Sequence, residues 1–269
     1  MSAQLTFTIL GCGSSTGVPR IGNEWGACDP KNPKNRRRRC ALLVQRRTNK
    51  GITNVIIDSG ADIREQLNDA QVKTIDAVLY THEHADHIHG IDDLRIAALR
   101  RRRRVPVSAH ERTGMALMTR FAYCFETPLG SSYPPILNLH KIELEKDIVI
   151  EGDGGEITAR AFLQDHGDIQ SLGFRIGRLA YSSDVINFPS SAYSAIENLD
   201  VWIIDALRWR FHPSHLSVEG ALSWIKRMRP QHAILTNLAM DLDYNTLKQT
   251  IPCNVEPAYD GLTFDLKAT

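Results

Sequence analysis

The sequence predicts an α/β fold in which two sheets of strands are flanked by helices. The chain has 269 residues, of which 42% are hydrophobic, and this is enough for the core of one large domain spanning residues 1–269. Both halves of the chain combine short apolar runs typical of strands with stretches of helical periodicity. Because each half can build a sheet with its own helices, we expect a two-sheet sandwich.

The first half is predicted to consist mostly of strands, with helices between the later ones. Apolar runs bounded by polar or Gly-containing segments predict strands at 5–10, 40–46, 52–58, 75–80 and 105–109. Helical spacing predicts helices at 62–71, 91–99 and 111–121. Residues 127–135 are rich in Pro, Ser and Gly and are expected to form a lid or an oligomer contact.

The second half begins with strands and then alternates between strands and helices. The predicted strands are 136–142, 147–150, 156–164, 172–182, 200–205, 231–236 and 261–266. The predicted helices are 217–228 and 243–250. Ser217 precedes a run with apolar residues at helical spacing, and its hydroxyl makes it a suitable N-cap for the first of these helices.

Composition excludes several classes of protein. The formal net charge is only +1, so no global field attracts nucleic acid or a membrane surface. No apolar run approaches the roughly 20 residues needed to cross a bilayer, and the first residues lack a secretory pattern. The five cysteines are widely spaced and include no C-x-x-C. This usage is expected in a reducing cytoplasm.

The segment Thr81 to His87 is the most informative part of the chain. It reads T-H-E-H-A-D-H and so places three imidazoles and a carboxylate within six residues. Because strand 75–80 precedes it, His82 and His84 are expected to extend the strand end with both side chains on one side. Two imidazoles placed in this way can bind one metal ion. Asp86 and His87 follow a turn toward the next helix and would face a neighbouring point, so the motif can contribute to two metal sites.

This pattern resembles the signature of the metallo-β-lactamase superfamily, and the resemblance extends over nearly the whole chain. It implies a four-layer αββα sandwich with a dinuclear metal site along the edge between the sheets. Several further segments resemble the phosphoribosyl 1,2-cyclic phosphate phosphodiesterase branch. They are the Gly/Ser-rich loop 11–20, Trp25 to Cys28, the basic run ending at Cys40, Asp165-His166, Ser183-Asp184 and His215.

The resemblance also implies ligands downstream of the motif. His166 follows a predicted strand and would be the third nitrogen ligand of the first ion. Asp184 follows an apolar strand and would bridge both ions, since a carboxylate has two oxygens. The last histidine expected from relatives is replaced by Asn237, whose amide oxygen is a poorer zinc ligand than imidazole but acceptable to Mn²⁺ or Mg²⁺. His212 or His215 could substitute for the missing ligand.

The expected cofactors are therefore two divalent ions, zinc or manganese, with the filling of the second site left open. Relatives in this branch hold a further, structural zinc through several cysteines in the first long loop. Only Cys28 remains in that loop here, so no structural zinc is expected. Asp58 ends a predicted strand and is expected to orient an imidazole ligand by accepting its free N–H.

The predicted function is metal-dependent hydrolysis of a small phosphorylated substrate. Two divalent ions leave a positive surplus after Asp86, Asp184 and a hydroxide are counted, and this surplus favours a nucleotide or a cyclic ribose phosphate over a β-lactam or a thiolester. The resemblance places the catalytic histidine of the branch on His215, which would contact the substrate together with Asn237. His215 precedes a helix N-terminus, where a phosphate is favoured.

Two alternatives remain open. The runs Arg36–Arg39 and Arg100–Arg104 are either solvated surface or a contact for phosphate or RNA, and the latter would fit a ribonuclease. A protein that binds nucleotides without turnover, its second metal site impaired at Asn237, is the other alternative. Nucleic acid is not the favoured partner, no membrane association is expected, and a homodimer is expected only from the resemblance.

Overall fold

The computed structural model describes residues 4–267, and its strands form two sheets of seven strands each. The first sheet consists of β1 (Gln4–Gly11), β2 (Ala41–Thr48), β3 (Gly51–Ile57), β4 (Ala77–Leu79), β5 (Val105–Ala109), β6 (Leu137–Lys141) and β14 (Thr263–Lys267). The second consists of β7 (Asp147–Ile150), β8 (Ile157–His166), β9 (Ile169–Ile176), β10 (Leu179–Ser182), β11 (Val201–Asp205), β12 (His232–Thr236) and β13 (Val255–Pro257).

The strand order brings several strand ends to one edge of the molecule. The first sheet runs β14-β1-β2-β3-β4-β5-β6 and the second β13-β12-β11-β10-β9-β8-β7. In the first sheet β3 to β6 are parallel neighbours, and in the second β10 to β13 are. Parallel neighbours end on the same side of a sheet, so the segments that follow these strands lie together.

Within residues 4–267, three short 3₁₀ helices and seven α-helices complete the structure, and the α-helices pack on the outer faces of the sheets. They are α1 (Ile63–Asp69), α2 (Ala85–Ile88), α3 (Arg95–Arg101), α4 (Glu111–Phe125), α5 (Tyr193–Ile196), α6 (Val218–Met228) and α7 (Tyr244–Thr250). One core lies between the sheets, a second joins the first sheet to α1, α3 and α4, and a third joins the second sheet to α5, α6 and α7. The predicted four-layer αββα sandwich is confirmed.

Large aromatic side chains stabilise these layers. Between the sheets, Phe7 is fully buried and stacks on Phe264 with 5.6 Å between ring centroids. Behind the second sheet, Trp202 is fully buried, and its indole N–H donates to Ser182 Oγ at 3.1 Å. Burying a phenylalanine side chain of this kind stabilises the fold by roughly 1.5–3 kcal/mol.

Most predicted elements are present, whereas α2, α5 and β13 were not predicted and the helix predicted at 91–99 begins as a short 3₁₀ helix at 91–94. The strand predicted at 172–182 is two antiparallel strands, β9 and β10, because the chain turns at Gly177, whose φ is 58°. Helix α4 continues past 121 to Phe125 across a break in helical geometry at Phe121. The strand predicted at 75–80 is only the three-residue β4, so His82 and His84 lie in the following loop and do not extend a strand.

The early end of β4 is explained by a hydrogen bond to a residue distant in sequence. The backbone N–H of Thr81 donates to the side chain of Asp58 at 2.8 Å and not to a neighbouring strand. The predicted N-cap at Ser217 is confirmed, since its hydroxyl oxygen accepts from Gly220 N at the start of α6. Across residues 4–267, none of the helices combines the length and the apolar character that spanning a bilayer requires.

Candidate metal centre

Three imidazoles predicted to share an ion converge at the edge between the sheets. Ligand atoms of His82, His84 and His166 all lie within 4.8 Å of one another, and His84 Nδ1 is 3.3 Å from His166 Nε2. His166 Nδ1 donates to the carbonyl oxygen of Ser214 at 2.8 Å, which leaves its Nε2 free to accept a cation. Burial, assisted by neighbouring imidazoles, holds the pKa of His82 well below its usual value. Neutral imidazole is the form that binds metals.

A second cluster adjoins the first and is richer in carboxylates. Ligand atoms of His82, His87 and Asp184 lie within 4.8 Å of one another. His87 Nε2 is 3.1 Å from Asp184 Oδ2 and 3.4 Å from Asp86 Oδ2. Asp184 also lies 3.9 Å from Nε2 of both His166 and His215. Asp184 therefore lies between the two clusters, as a bridging ligand would.

These residues fit divalent cations on two counts. First, the buried atoms His82 Nε2, His87 Nε2 and Asp184 Oδ2 have no hydrogen-bond partner outside the ligand residues, which is costly unless a ligand binds there. Second, burial would lower the pKa of His87, yet Asp184, Asp86 and Asp58 raise it well above its ordinary value. The carboxylates thus favour positive charge at this point. The structure brings together all six residues predicted as ligands, and nitrogen and carboxylate oxygen donors suit zinc or manganese.

Asp58 lies behind the second cluster, where the sequence predicted it. Its side chain is fully buried, and its Oδ2 is 2.7 Å from His87 Nδ1. The same carboxylate accepts from the backbone N–H and the hydroxyl of Thr81, both at 2.8 Å. The neighbouring Gly60 permits this arrangement, because a Cβ there would lie 1.9 Å from the carbonyl oxygen of Asp86.

Three site residues that follow strands share an unusual backbone conformation. Asp58, Asp184 and Asn237 have φ values of 65°, 50° and 63°, in the left-handed region that costs a non-glycine residue energy. Each sharp turn directs a polar side chain across the edge of its sheet. Strain at three neighbouring strand ends is typical of functional sites, and nothing in the sequence pattern indicated it.

His215 and Asn237 lie beside these clusters, and His215 is held by a partner that the sequence analysis did not assign. Asp205 is fully buried at the end of β11, and its Oδ2 is 2.8 Å from His215 Nδ1. The Asn237 amide is 3.2 Å from the same nitrogen. Burial would lower the pKa of His215, but Asp205 and Asp184 outweigh it and raise the pKa to about 9. The position of Asp205 in the sequence could have indicated this role. It ends an apolar strand, and Asp58 and Asp184 likewise follow apolar strands.

Glu83 is a second residue that the sequence analysis missed. It lies between His82 and His84 in sequence, and its side chain is buried on the side away from the clusters. Its carboxylate is 2.5 Å from Arg112 Nε and accepts from the Thr113 hydroxyl at 3.2 Å. Glu83 thus connects the segment Thr81 to His87, the metal loop, to α4.

An open cavity of about 900 Å³ gives access to the site. Its floor includes His84, Asp86, Asp184 and His215, and Ser14 from the predicted Gly/Ser-rich loop lines one wall. None of residues 127–135 lines it, and a lid at that loop stays a prediction. A role for the loop in oligomer contacts stays a prediction.

The arginine runs are mainly structural. Arg37 is only 1% exposed and donates to the carbonyl oxygens of Ala239 and Leu242 at 3.1 and 2.7 Å. Several others form ion pairs: Arg38 with Asp69 and Asp260, Arg39 with Asp62, and Arg101 and Arg103 with Asp76. Most of these guanidinium groups are therefore already engaged, which weakens their interpretation as an RNA-binding surface.

Comparisons with known proteins agree with this architecture. A family model described as "Beta-lactamase superfamily domain" matches residues 53–236. A crystal structure described as a new diphosphatase from the PhnP family has a TM-score of 0.87 and 31% identity, covering 99% of this chain and 98% of that one. Zn²⁺-bound PqqB from Methylobacterium extorquens is 16% identical, with a TM-score of 0.78 over 97% of this chain and all of that one, and shares the fold.

One curated relative is longer than this chain. A protein of Porphyromonas gingivalis (strain ATCC BAA-308 / W83) named octanoyltransferase is 29% identical over 258 residues, which cover 94% of this chain and 50% of that protein. The chain thus spans about half the length of that relative. The family match covers more than half of the present chain, and the fold and the clustered ligand residues agree with it. The chain belongs to the metallo-β-lactamase superfamily.

Proposed function

We propose that this protein is a metal-dependent phosphodiesterase that hydrolyses a small nucleotide or cyclic ribose phosphate. The observation that carries the proposal is the convergence of an imidazole cluster, an imidazole–carboxylate cluster and His215 on one open cavity. The similarity to a PhnP-family diphosphatase along the whole chain supports phosphoester chemistry.

Two ions would be held by the residues of the two clusters. His82, His84 and His166 would bind one ion, and Asp86 and His87 the other, with Asp184 between them. Divalent cations supply Lewis acidity, lower the pKa of a coordinated water and neutralise charge that develops on phosphoryl oxygens. Asp58 and the Ser214 carbonyl keep the outer ring nitrogens of His87 and His166 protonated, so that the inner nitrogens stay free.

His215 has the geometry of a proton donor to the substrate. Asp205 fixes the proton on His215 Nδ1 and orients the ring, so that Nε2 faces the cavity near Asp184. From there Nε2 can donate to a non-bridging phosphoryl oxygen or to the leaving oxygen. The side chain is mostly shielded from solvent, which strengthens this interaction with an anionic substrate.

Two other activities fit the site less well. A ribonuclease needs free cations along an RNA path, and most of the arginine runs are engaged in ion pairs and backbone contacts. One relative of twice this length is named octanoyltransferase, but the imidazole and carboxylate groups on the cavity floor favour phosphoester hydrolysis over acyl transfer. Nucleotide binding without turnover remains the second candidate, since Asn237 stands where relatives have a metal-binding histidine.

The direct test is hydrolysis of bis-(p-nitrophenyl) phosphate by protein loaded with Mn²⁺ or Zn²⁺. We expect turnover that His82→Ala and Asp184→Asn reduce by at least roughly a hundredfold, because each removes a ligand. His89→Ala is a matched control, since His89 is exposed in the same segment and contacts Phe121 instead of the clusters. No turnover with any divalent ion would overturn the proposal, and tight nucleotide binding in the same sample would favour the second candidate.

A further inference from the structure

The loop 206–217, between β11 and α6, presents a rigid aromatic tip at the mouth of the cavity. Its two ends are joined by hydrogen bonds from Leu207 N to Leu216 O at 2.9 Å and from Val218 N to Arg208 O at 3.0 Å. At the tip, Arg208 donates to the carbonyl oxygen of Phe211 at 2.7 Å. These bonds restrain the loop through its own backbone and side chains.

Trp209 is fixed further by a neighbouring segment. Its indole N–H donates to the carbonyl oxygen of Asp241 at 3.2 Å, and its backbone N–H donates to Asp241 Oδ2 at 3.3 Å. These contacts hold the indole in place while leaving 41% of the residue exposed. An aromatic ring that is immobilised before binding loses little entropy when a ligand stacks on it.

Phe211 is even more exposed, at 75%. Within residues 4–267, Trp209 and Phe211 are the two large, exposed hydrophobic side chains that line the cavity. The others, such as Leu129 and Tyr133, lie elsewhere on the surface. Two exposed rings on one short loop beside a polar site form a surface suited to a planar, partly apolar group.

The charge at the tip suits a ligand that also carries phosphate. Arg210 lies between the two rings in sequence and lines the same cavity. Its guanidinium makes no hydrogen bond or ion pair in the part of the chain that the structure describes, whereas Arg208 is used to hold the loop. Free guanidinium beside aromatic surface is a combination that proteins use to bind nucleotides.

We propose that Trp209 and Phe211 form a nucleobase-stacking subsite, with Arg210 contacting phosphate, so that the substrate is a nucleoside phosphate and not a base-free sugar phosphate. This inference rests on the proposed phosphodiesterase function, because it assumes that the phosphate lies at the metal clusters. Stacking on an aromatic side chain tolerates any base, and the subsite therefore selects for the presence of a base and not for its identity.

The test compares two ligands that differ only in the base, adenosine 5′-monophosphate and ribose 5-phosphate. Isothermal titration calorimetry with Mn²⁺-loaded protein measures each dissociation constant without requiring turnover. We expect wild-type protein to bind the nucleotide at least roughly tenfold more tightly. Trp209→Ala and Phe211→Ala should each reduce that ratio severalfold, and Arg210→Ala should weaken both ligands by a similar factor.

Two controls separate stacking from damage to the loop. Trp209→Phe loses the indole hydrogen bond to Asp241 but keeps an aromatic ring. Because the ring provides the stacking surface, this variant should retain most of the preference for the nucleotide. Tyr133→Ala removes a ring that is 73% exposed outside the cavity and should leave the ratio unchanged. Equal affinity for the two ligands in wild type, or a ratio that Trp209→Ala and Phe211→Ala leave intact, would overturn the subsite.

The same samples distinguish this proposal from the one it rests on. Hydrolysis of bis-(p-nitrophenyl) phosphate without any preference for the base-containing ligand would overturn the subsite and leave the phosphodiesterase proposal standing. A strong preference that depends on the two rings, in protein without turnover, would support the subsite and overturn the catalytic function.

Discussion

Replacing Asp58 by asparagine tests whether this carboxylate sets the chemical state of His87. The side chain is fully buried and accepts from three groups: Thr81 N and Thr81 Oγ1 at 2.8 Å and His87 Nδ1 at 2.7 Å. Asparagine has the same shape but only one acceptor oxygen. Since the backbone N–H of Thr81 can only donate, the amide oxygen must face it.

This orientation places the amide NH₂ of the new residue opposite the Thr81 hydroxyl and His87 Nδ1. The hydroxyl can rotate and accept, but Nδ1 can accept only if the imidazole proton moves to Nε2. That nitrogen is the one that faces Asp86 and Asp184, and a protonated nitrogen cannot bind a cation. We therefore expect Asp58→Asn to lower the affinity for one of the two ions by about 10- to 100-fold, or about 1.4–2.7 kcal/mol.

The assay is a competition titration of metal-free protein with Zn²⁺ and a chromogenic chelator, combined with mass spectrometry of the ion content. Asp260→Asn is the matched control, because Asp260 is also mostly buried and accepts from Cys12 N, Arg38 N and Arg38 Nε away from the clusters. It should lower stability without changing zinc affinity. Two ions bound to Asp58→Asn with wild-type affinity would refute the tautomer argument.

Three further predictions concern stability and the second ion. Arg37→Met removes the buried guanidinium bonds to the carbonyl oxygens of Ala239 and Leu242 and should lower the free energy of unfolding in urea by about 2–5 kcal/mol. Arg36→Met, at an exposed position, should change it by less than about 1 kcal/mol, and equal effects would contradict this. Asn237→His introduces an imidazole at a φ that histidine tolerates and should raise the affinity for the second ion in the chelator titration; unchanged binding would show that position 237 does not reach it. Asp243→Ala removes the N-cap of α7 and the 2.6 Å bond from Asn35 Nδ2, costing about 1–2 kcal/mol at pH 7 in urea unfolding. Burial by itself would raise the pKa of Asp243, but the N–H of Thr246 and the amide of Asn35 outweigh it and lower that pKa to about 2. The stabilisation that Asp243 gives the folded state is therefore fully present above about pH 4. It should disappear as the pH falls through 2, and a difference from wild type that persists at lower pH would contradict the assignment.

Patterns within short segments predicted most of the fold. Helix α6 and its cap at Ser217 follow from helical spacing and one hydroxyl, and β5 and β7 follow from apolar runs. The boundaries failed where a distant residue decided them. Strand β4 ends early because Asp58 takes the N–H of Thr81, and the turn at Gly177 divides one apolar run into two strands.

The metal motif was readable because its members are adjacent in sequence. Four ligand residues lie within six positions of the sequence: His82, His84, Asp86 and His87. Their metal-binding chemistry can therefore be predicted without knowledge of the fold. His166 and Asp184 needed the family resemblance, since a lone histidine or aspartate after a strand has no distinctive pattern of its own. The role of the arginine runs could not be predicted either. Charge in a sequence does not reveal whether a side chain faces solvent or binds a buried carbonyl oxygen.

The sequence by itself determined the alternation of strands and helices and the composition of the metal loop, because both depend on neighbouring residues. Only the tertiary structure decided that Asp205 holds His215, that Arg37 is buried, and that Trp209 and Phe211 lie at the cavity mouth. These relations join segments brought together by the packing of two sheets. The stabilisation that these relations provide comes from contacts between residues distant in sequence. The periodicity of a short segment cannot predict such contacts.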